Sequence, residues 1–134
     1  MPNDPVLIEE TKSWLKKAKL DLKTAEHSLT SDQPLTEIAL FHCQQSVEKS
    51  LKAFLTFHQT VFRKTHLIEE IGQQCIKIDS SLSGVISKAV PLTEYVSKYR
   101  YPGEIEEPEL QEAQDAIQIT KEVYNVIFSK IPKS

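Results

Sequence analysis

A run of amide and charged side chains interrupts an apolar helix pattern in the stretch between Leu40 and His58. Its members are Gln44, Gln45, Glu48, Lys49 and Lys52. Gln45 and Lys49 are one helical turn apart and therefore face the same way. The run is either the water-facing side of a helix or a polar site.

Further along the chain, His66 and Arg100 have side chains that suit phosphate. The arginine fork can bind an anion through two N–H groups, and the imidazole titrates near neutral pH. Together with the amide of Gln45 and the ammonium of Lys49, they predict a nucleotide or phosphate site near one end of the fold. Tyr101 adds a ring that can stack on a base.

Each of these residues also has a purely structural interpretation. His66 can hydrogen-bond at the start of a helix, and Arg100 suits the negative end of a helix dipole. Tyr101 can simply pack against the end of the fold. The acidic run that follows, "GEIEEPE", opposes nucleic acid locally and favours a basic protein partner.

We predict no catalytic residue, no cofactor and no metal site. The sequence has no Gly-rich phosphate loop, no HExxH and no CxxC. Cys43 and Cys75 lack metal-ligand spacing and are interpreted as buried thiols in a reducing compartment.

The spacing of apolar residues predicts an all-α fold, an up-and-down bundle of four to five antiparallel helices forming a single domain over residues 1–134. Pro91 should kink or split the fourth helix, because proline removes a donor and crowds the preceding turn. The predicted helices are Leu7–Leu29, Pro34–His58, His66–Ile78, Leu82–Tyr99 with that kink, and a last helix from Pro108 to Ile131.

On the first helix, Lys12, Lys16, Lys19 and Lys23 form a row that we interpret as a solvated face, with weak anion binding as the alternative.

On a helical wheel, the second helix places Glu48, Lys52, Gln45, Lys49 and His42 opposite its apolar arc, so much of the polar run should be a polar face. Glu48 and Lys52 form an i,i+4 pair in the favourable order. Ile38 and Phe41 lie within the same polar arc. A second packing surface explains them, either another helix or another subunit, and we predict a homodimer interface there.

Composition sets the broad class of the protein. The chain has 134 residues and a net charge of −3, which gives no overall attraction to nucleic acid. Its N-terminus has neither a basic start nor an apolar run, and no apolar run approaches the ~20 residues that span a bilayer. We therefore expect a cytoplasmic protein without membrane contact.

Four segments resemble the HEPN domain family. "FHCQQSVEKSLKAFL" is similar to the family's central helix, and "WLKKAKLDLKTAEHSL" looks like its first helix, with Trp14, Ala18, Asp21, Leu22 and Ala25 in the expected places. "KTHLIEEI" resembles its Thr-His segment at Thr65 and His66. "YRYPG" resembles its Arg-Tyr-Pro motif at Arg100, Tyr101 and Pro102.

The resemblance implies a helical bundle that is commonly dimeric and often encoded beside a minimal nucleotidyltransferase in prokaryotic toxin–antitoxin, stress or defence pairs. Ribonuclease branches of the family carry Arg followed roughly four to six residues later by His, which can serve as acid or base. Arg100 has no such histidine, and His66 follows Arg63 too closely.

The resemblance therefore favours a binding module for a nucleotide, RNA or a nucleotidyltransferase partner. A metal-independent ribonuclease with a non-standard site and a purely structural dimer are the alternatives.

Overall fold

The computed structural model describes residues 4–96 and 107–132 and contains five α-helices and no strand within those ranges. The helices are α1 (Pro5–Ser28), α2 (Thr36–Phe57), α3 (Ile68–Ile78), α4 (Ser83–Ala89) and α5 (Leu110–Ser129). Short 3-10 segments cover Ser80–Leu82 and Val90–Val96. The predicted all-α bundle is confirmed, and Pro91 lies where α4 gives way to the second 3-10 segment.

Helix α2 is the centre of the bundle and contacts α1, α3, α5 and the Val90–Val96 segment. Its apolar arc is fully buried, including Leu40, Val47, Leu51 and Phe54. This arc is the one that the helical wheel predicts, because the 3.6-residue period puts these side chains on one side. The lysine row on α1 is exposed, as predicted.

Small residues let neighbouring helices come close at two points. Ser46 of α2 donates to the backbone oxygen of Ala18 in α1 at 2.7 Å. A Cβ atom at Gly72 of α3 would lie 2.6 Å from Cγ2 of Ile86 in α4, so only glycine fits there without a shift. These contacts fix the position of α2 relative to α1, and of α3 relative to α4.

The termini of the helices are defined by side chains and by one unusual backbone angle. Asp4 caps α1 by accepting from the Val6 N–H at 2.9 Å. Helix α2 ends in a Schellman motif, in which Gln59 has a φ of 53° and Thr60 donates to the Leu55 oxygen at 2.8 Å. The Ile68 N–H at the start of α3 donates to Oγ1 of Thr93 at 3.0 Å. The segment between α2 and α3 is thus anchored at both ends.

Within the described ranges, no helix combines the length and the apolar character required to traverse a bilayer.

Candidate functional site on helix α2

The polar run on α2 is packed rather than water-facing. The side of the helix that carries Gln44 and Glu48 is covered by the chain around His66, so Gln44 is 0% exposed and Glu48 is 5% exposed. The prediction that Glu48 lies on a water-facing side of the helix is therefore wrong. A helical wheel gives the direction of a side chain but not what packs against it. Buried polar groups require hydrogen-bond partners, and both residues have them.

Glu48 is the centre of the first network. Its Oε2 accepts from Nζ of Lys52 at 2.8 Å, which confirms the predicted i,i+4 pair. Its Oε1 lies 3.1 Å from Nε2 of Gln44 and 3.2 Å from Nδ1 of His66. Gln44 also donates to the backbone oxygen of His66 at 3.0 Å, and Gln45 donates to Gln44 at 2.7 Å. The network thus joins α2 to the start of α3.

These contacts decide the charge state of Glu48. Burial by itself would raise the pKa of its carboxyl group, but hydrogen bonds from Lys52 and Gln44 and the charge of Lys52 outweigh burial. The net result is a pKa below the ordinary value, so Glu48 is an anion at neutral pH. A buried carboxylate with this many partners positions other side chains.

Asp21 of α1 is the centre of the second network. Its Oδ1 lies 2.8 Å from Nδ1 of His42, and its Oδ2 accepts from Nζ of Lys49 at 2.6 Å. Asp21 is buried, and its partners on α2 are partly buried. A carboxylate beside Nδ1 favours a proton on that nitrogen of His42. The network ties α1 to α2 and neutralises the charge of Lys49.

The predicted binding residues divide between these two networks. Gln45 and His66 belong to the Glu48 network, and Lys49 belongs to the Asp21 network. Of the three, His66 is the most accessible, with 72% of its side chain exposed. Arg100 and Tyr101, with Pro102 of the same motif, lie outside the described residues.

Reasoning from the sequence did not identify Asp21 and His42 as members of a buried polar network. The available signal was a charge at a core position: Asp21 interrupts the apolar face of α1 that Ala18, Leu22 and Ala25 form. A buried carboxylate requires cationic partners. The sequence could not say which of the many lysines would supply one.

Ile38 and Phe41, the predicted dimer contacts, are 45% and 38% exposed on α2. Phe41 packs its ring edge-to-face on His42, with the ring centroids 5.3 Å apart. Ile38 and Phe41 therefore form an apolar strip that flanks the Asp21 network on the outer surface of α2.

The two cysteines have the predicted buried and unpaired state. Burial raises the pKa of Cys43 to about 11 and that of Cys75 to about 12, so both are protonated thiols. In the part of the chain that the structure describes, no group of three or more His, Cys, Asp and Glu side chains could hold a metal ion.

Comparison with known proteins agrees with this architecture. The family model described as "HEPN domain" matches residues 11–131. A protein of Methanocaldococcus jannaschii named "Putative toxin MJ1304" is 31% identical over 137 residues, and the match covers 90% of each chain. No solved structure matches the chain.

Proposed function

Because the chain belongs to the HEPN domain family, we propose that it is the HEPN component of a toxin–antitoxin-type pair and acts as a binding and interaction module. The toxin name of the Methanocaldococcus relative supports the pairing. The family resemblance suggests a minimal nucleotidyltransferase as the partner protein and a homodimer as the working form.

One observation carries the interaction role. Ile38 and Phe41 expose apolar surface beside polar side chains that are already satisfied within the chain. Since His42 and Lys49 both bond to Asp21 of α1, this part of α2 offers an apolar strip with a preorganised polar border. Apolar contacts inside a polar rim are the usual anatomy of a protein–protein interface.

Co-expression tests this role directly. We would express the chain in a bacterial host alone and together with the product of the neighbouring reading frame, where that frame encodes a minimal nucleotidyltransferase. Growth arrest by the chain alone, relief by the partner, and co-purification of the two proteins are expected. Normal growth together with no complex would contradict the proposal.

Nucleotide or RNA binding is a second candidate function, favoured by the exposed imidazole of His66 at the start of α3. Its predicted companions at the site are Gln45, Lys49, Arg100 and Tyr101. Gln45 and Lys49 are held by hydrogen bonds, so in this proposal they present fixed polar atoms rather than mobile ones.

A further inference from the structure

A groove of about 330 Å³ lies beside His66, between α2 and the segment that leads into α3. We infer that this groove binds the phosphate group of a nucleotide, either a free nucleotide or the end of an RNA strand. The inference rests on the nucleotide-binding part of the proposed function and gives it a site. The groove is lined by Lys52, Phe62, Arg63, Lys64, Thr65 and His66.

The charge in the groove is positive. Arg63 and Lys64 are exposed, and neither forms an ion pair with any residue in the described ranges. The charge of Lys52 is matched by Glu48, which lies beneath it at 2.8 Å. Two cations thus remain unneutralised next to an imidazole and the hydroxyl of Thr65. An arginine fork beside a lysine is well suited to a phosphate group.

The backbone that carries these cations is fixed by Gln74 of α3. The side chain of Gln74 donates to the Val61 oxygen at 2.9 Å and accepts from the Arg63 N–H at 3.1 Å. Thr65 donates its N–H to the Arg63 oxygen at 3.0 Å, and its own Oγ1 accepts from the Leu67 N–H at 3.1 Å. A segment ordered before binding costs less conformational entropy when a ligand arrives.

Phe62 supplies the aromatic part of the groove's lining. Phe62 packs edge-to-face on Trp14 of α1, with ring centroids 5.7 Å apart. Nζ of Lys52 lies 5.1 Å from the centre of the Phe62 ring and 5.5 Å from that of Trp14. These contacts anchor the segment to two helices. The Phe62 ring also places an apolar surface beside the cations. A nucleotide has a charged phosphate and a flat base, and such a site can contact both.

Other depressions lack this combination. One between α3 and α4 contains the carboxylate of Glu69 and no cation among its lining residues, which are Glu69, Gln73, Ile76, Ile86, Ser87 and Val90. Another, lined by Ser13, Lys16, Lys17 and Leu20, lies on α1 alone and has no aromatic wall. The groove beside His66 alone among these three combines cations, a hydroxyl group and an aromatic ring.

Calorimetric titration tests the site. The full chain would be titrated at low salt with ATP and, separately, with a 5′-phosphorylated hexaribonucleotide. The variants are Arg63→Ala and Lys64→Ala, and the matched control is Lys77→Ala, an exposed lysine in the last turn of α3. Thermal melting of each variant would verify that the bundle remains folded.

We expect at least one probe to bind and both groove variants to weaken it by about tenfold, the size of effect that losing one charged phosphate contact has. Lys77→Ala should leave affinity within twofold. Preference for ATP or for the RNA identifies the source of the phosphate. Binding that Arg63→Ala and Lys64→Ala leave unchanged would overturn the groove while preserving nucleotide binding. No binding of either probe would overturn both, and the partner-protein role would stand on its own test.

Discussion

Glu48 and His66 are joined across the bundle, with Oε1 of the carboxylate 3.2 Å from Nδ1 of the imidazole. One is buried in the middle of α2, and the other is exposed just before α3. The contact links the interior network of the protein to the groove that we propose as a phosphate site. Changes at Glu48 should therefore affect both the stability of the fold and the position of His66.

Replacing Glu48 with alanine should lower the free energy of unfolding by about 3 kcal/mol, because Lys52 and Gln44 lose a buried charged partner. Urea denaturation measures the change. The control is Glu122→Ala, which removes an ion pair with Lys88 whose two side chains are more than half exposed. That control should cost less than ~1 kcal/mol. Equal effects of the two substitutions would contradict the assigned role of Glu48.

The pH dependence of stability should reveal the same carboxylate. The folded-state pKa of Glu48 lies below its ordinary value of 4.5. Its contribution is therefore fully present above pH 4.5 and is lost as the pH falls through the folded-state pKa. Glu48→Gln removes this component, so its unfolding free energy should fall less steeply in acid than that of the unmodified protein.

Asp79 serves as an internal reference in that experiment. Hydrogen bonds from Lys130 and Ser81 lower the pKa of Asp79 to about 2, and this effect is present in both proteins. The difference between the two pH profiles therefore isolates Glu48. Parallel profiles for Glu48→Gln and the unmodified protein would count against a depressed pKa at Glu48.

A homodimer through the outer surface of α2 is predicted from Ile38 and Phe41. Phe41→Glu should shift the protein toward monomer at micromolar concentration, because a charge would enter an apolar contact. Light scattering coupled to size-exclusion chromatography measures the mass. Leu20→Glu is the matched control, since Leu20 is an equally apolar and well exposed residue on α1. A monomeric unmodified protein, or equal dissociation by both variants, would contradict this interface.

The isolated protein should lack robust metal-independent ribonuclease activity. Neither Arg63 nor Arg100 is followed by histidine at the spacing typical of the ribonuclease branches. Incubation of a generic RNA with the protein in a chelating buffer, followed by gel electrophoresis, measures cleavage. Cleavage that persists through purification and disappears in Arg100→Ala would refute the prediction and favour a non-standard active site.

Gln59→Gly should stabilise the protein by about 0.5–1 kcal/mol. Gln59 has a φ of 53°, in the left-handed region where a side chain costs about 1 kcal/mol or more and glycine does not. Greater flexibility of the unfolded chain offsets part of the gain. A rise of a few degrees in melting temperature is expected, whereas Gln73→Gly, at an exposed position within α3, should lower it.

The sequence by itself determined the helices, and the family resemblance implied the central position of α2. Leu40, Val47 and Leu51 recur at the helical period, so their common face follows from the covalent spacing of the chain. Pro91 similarly predicted a kink or split in the fourth helix, because its ring and missing N–H act locally. The resemblance to the HEPN domain family was also visible in the sequence alone, because four short segments occur in the order that is typical of the family.

Only the tertiary structure decided how the polar residues are distributed. Asp21 pairs with Lys49 across 28 positions, and Gln44 bonds to the His66 oxygen across 22. Such pairs depend on how far one helix is shifted along another, and the helical period carries no information about that shift. The groove around Arg63 likewise exists because Trp14, Lys52 and Gln74 hold an irregular segment against α1, α2 and α3. Packing between distant parts of the chain made these contacts, and so it decided which polar side chains are buried and which can meet a ligand.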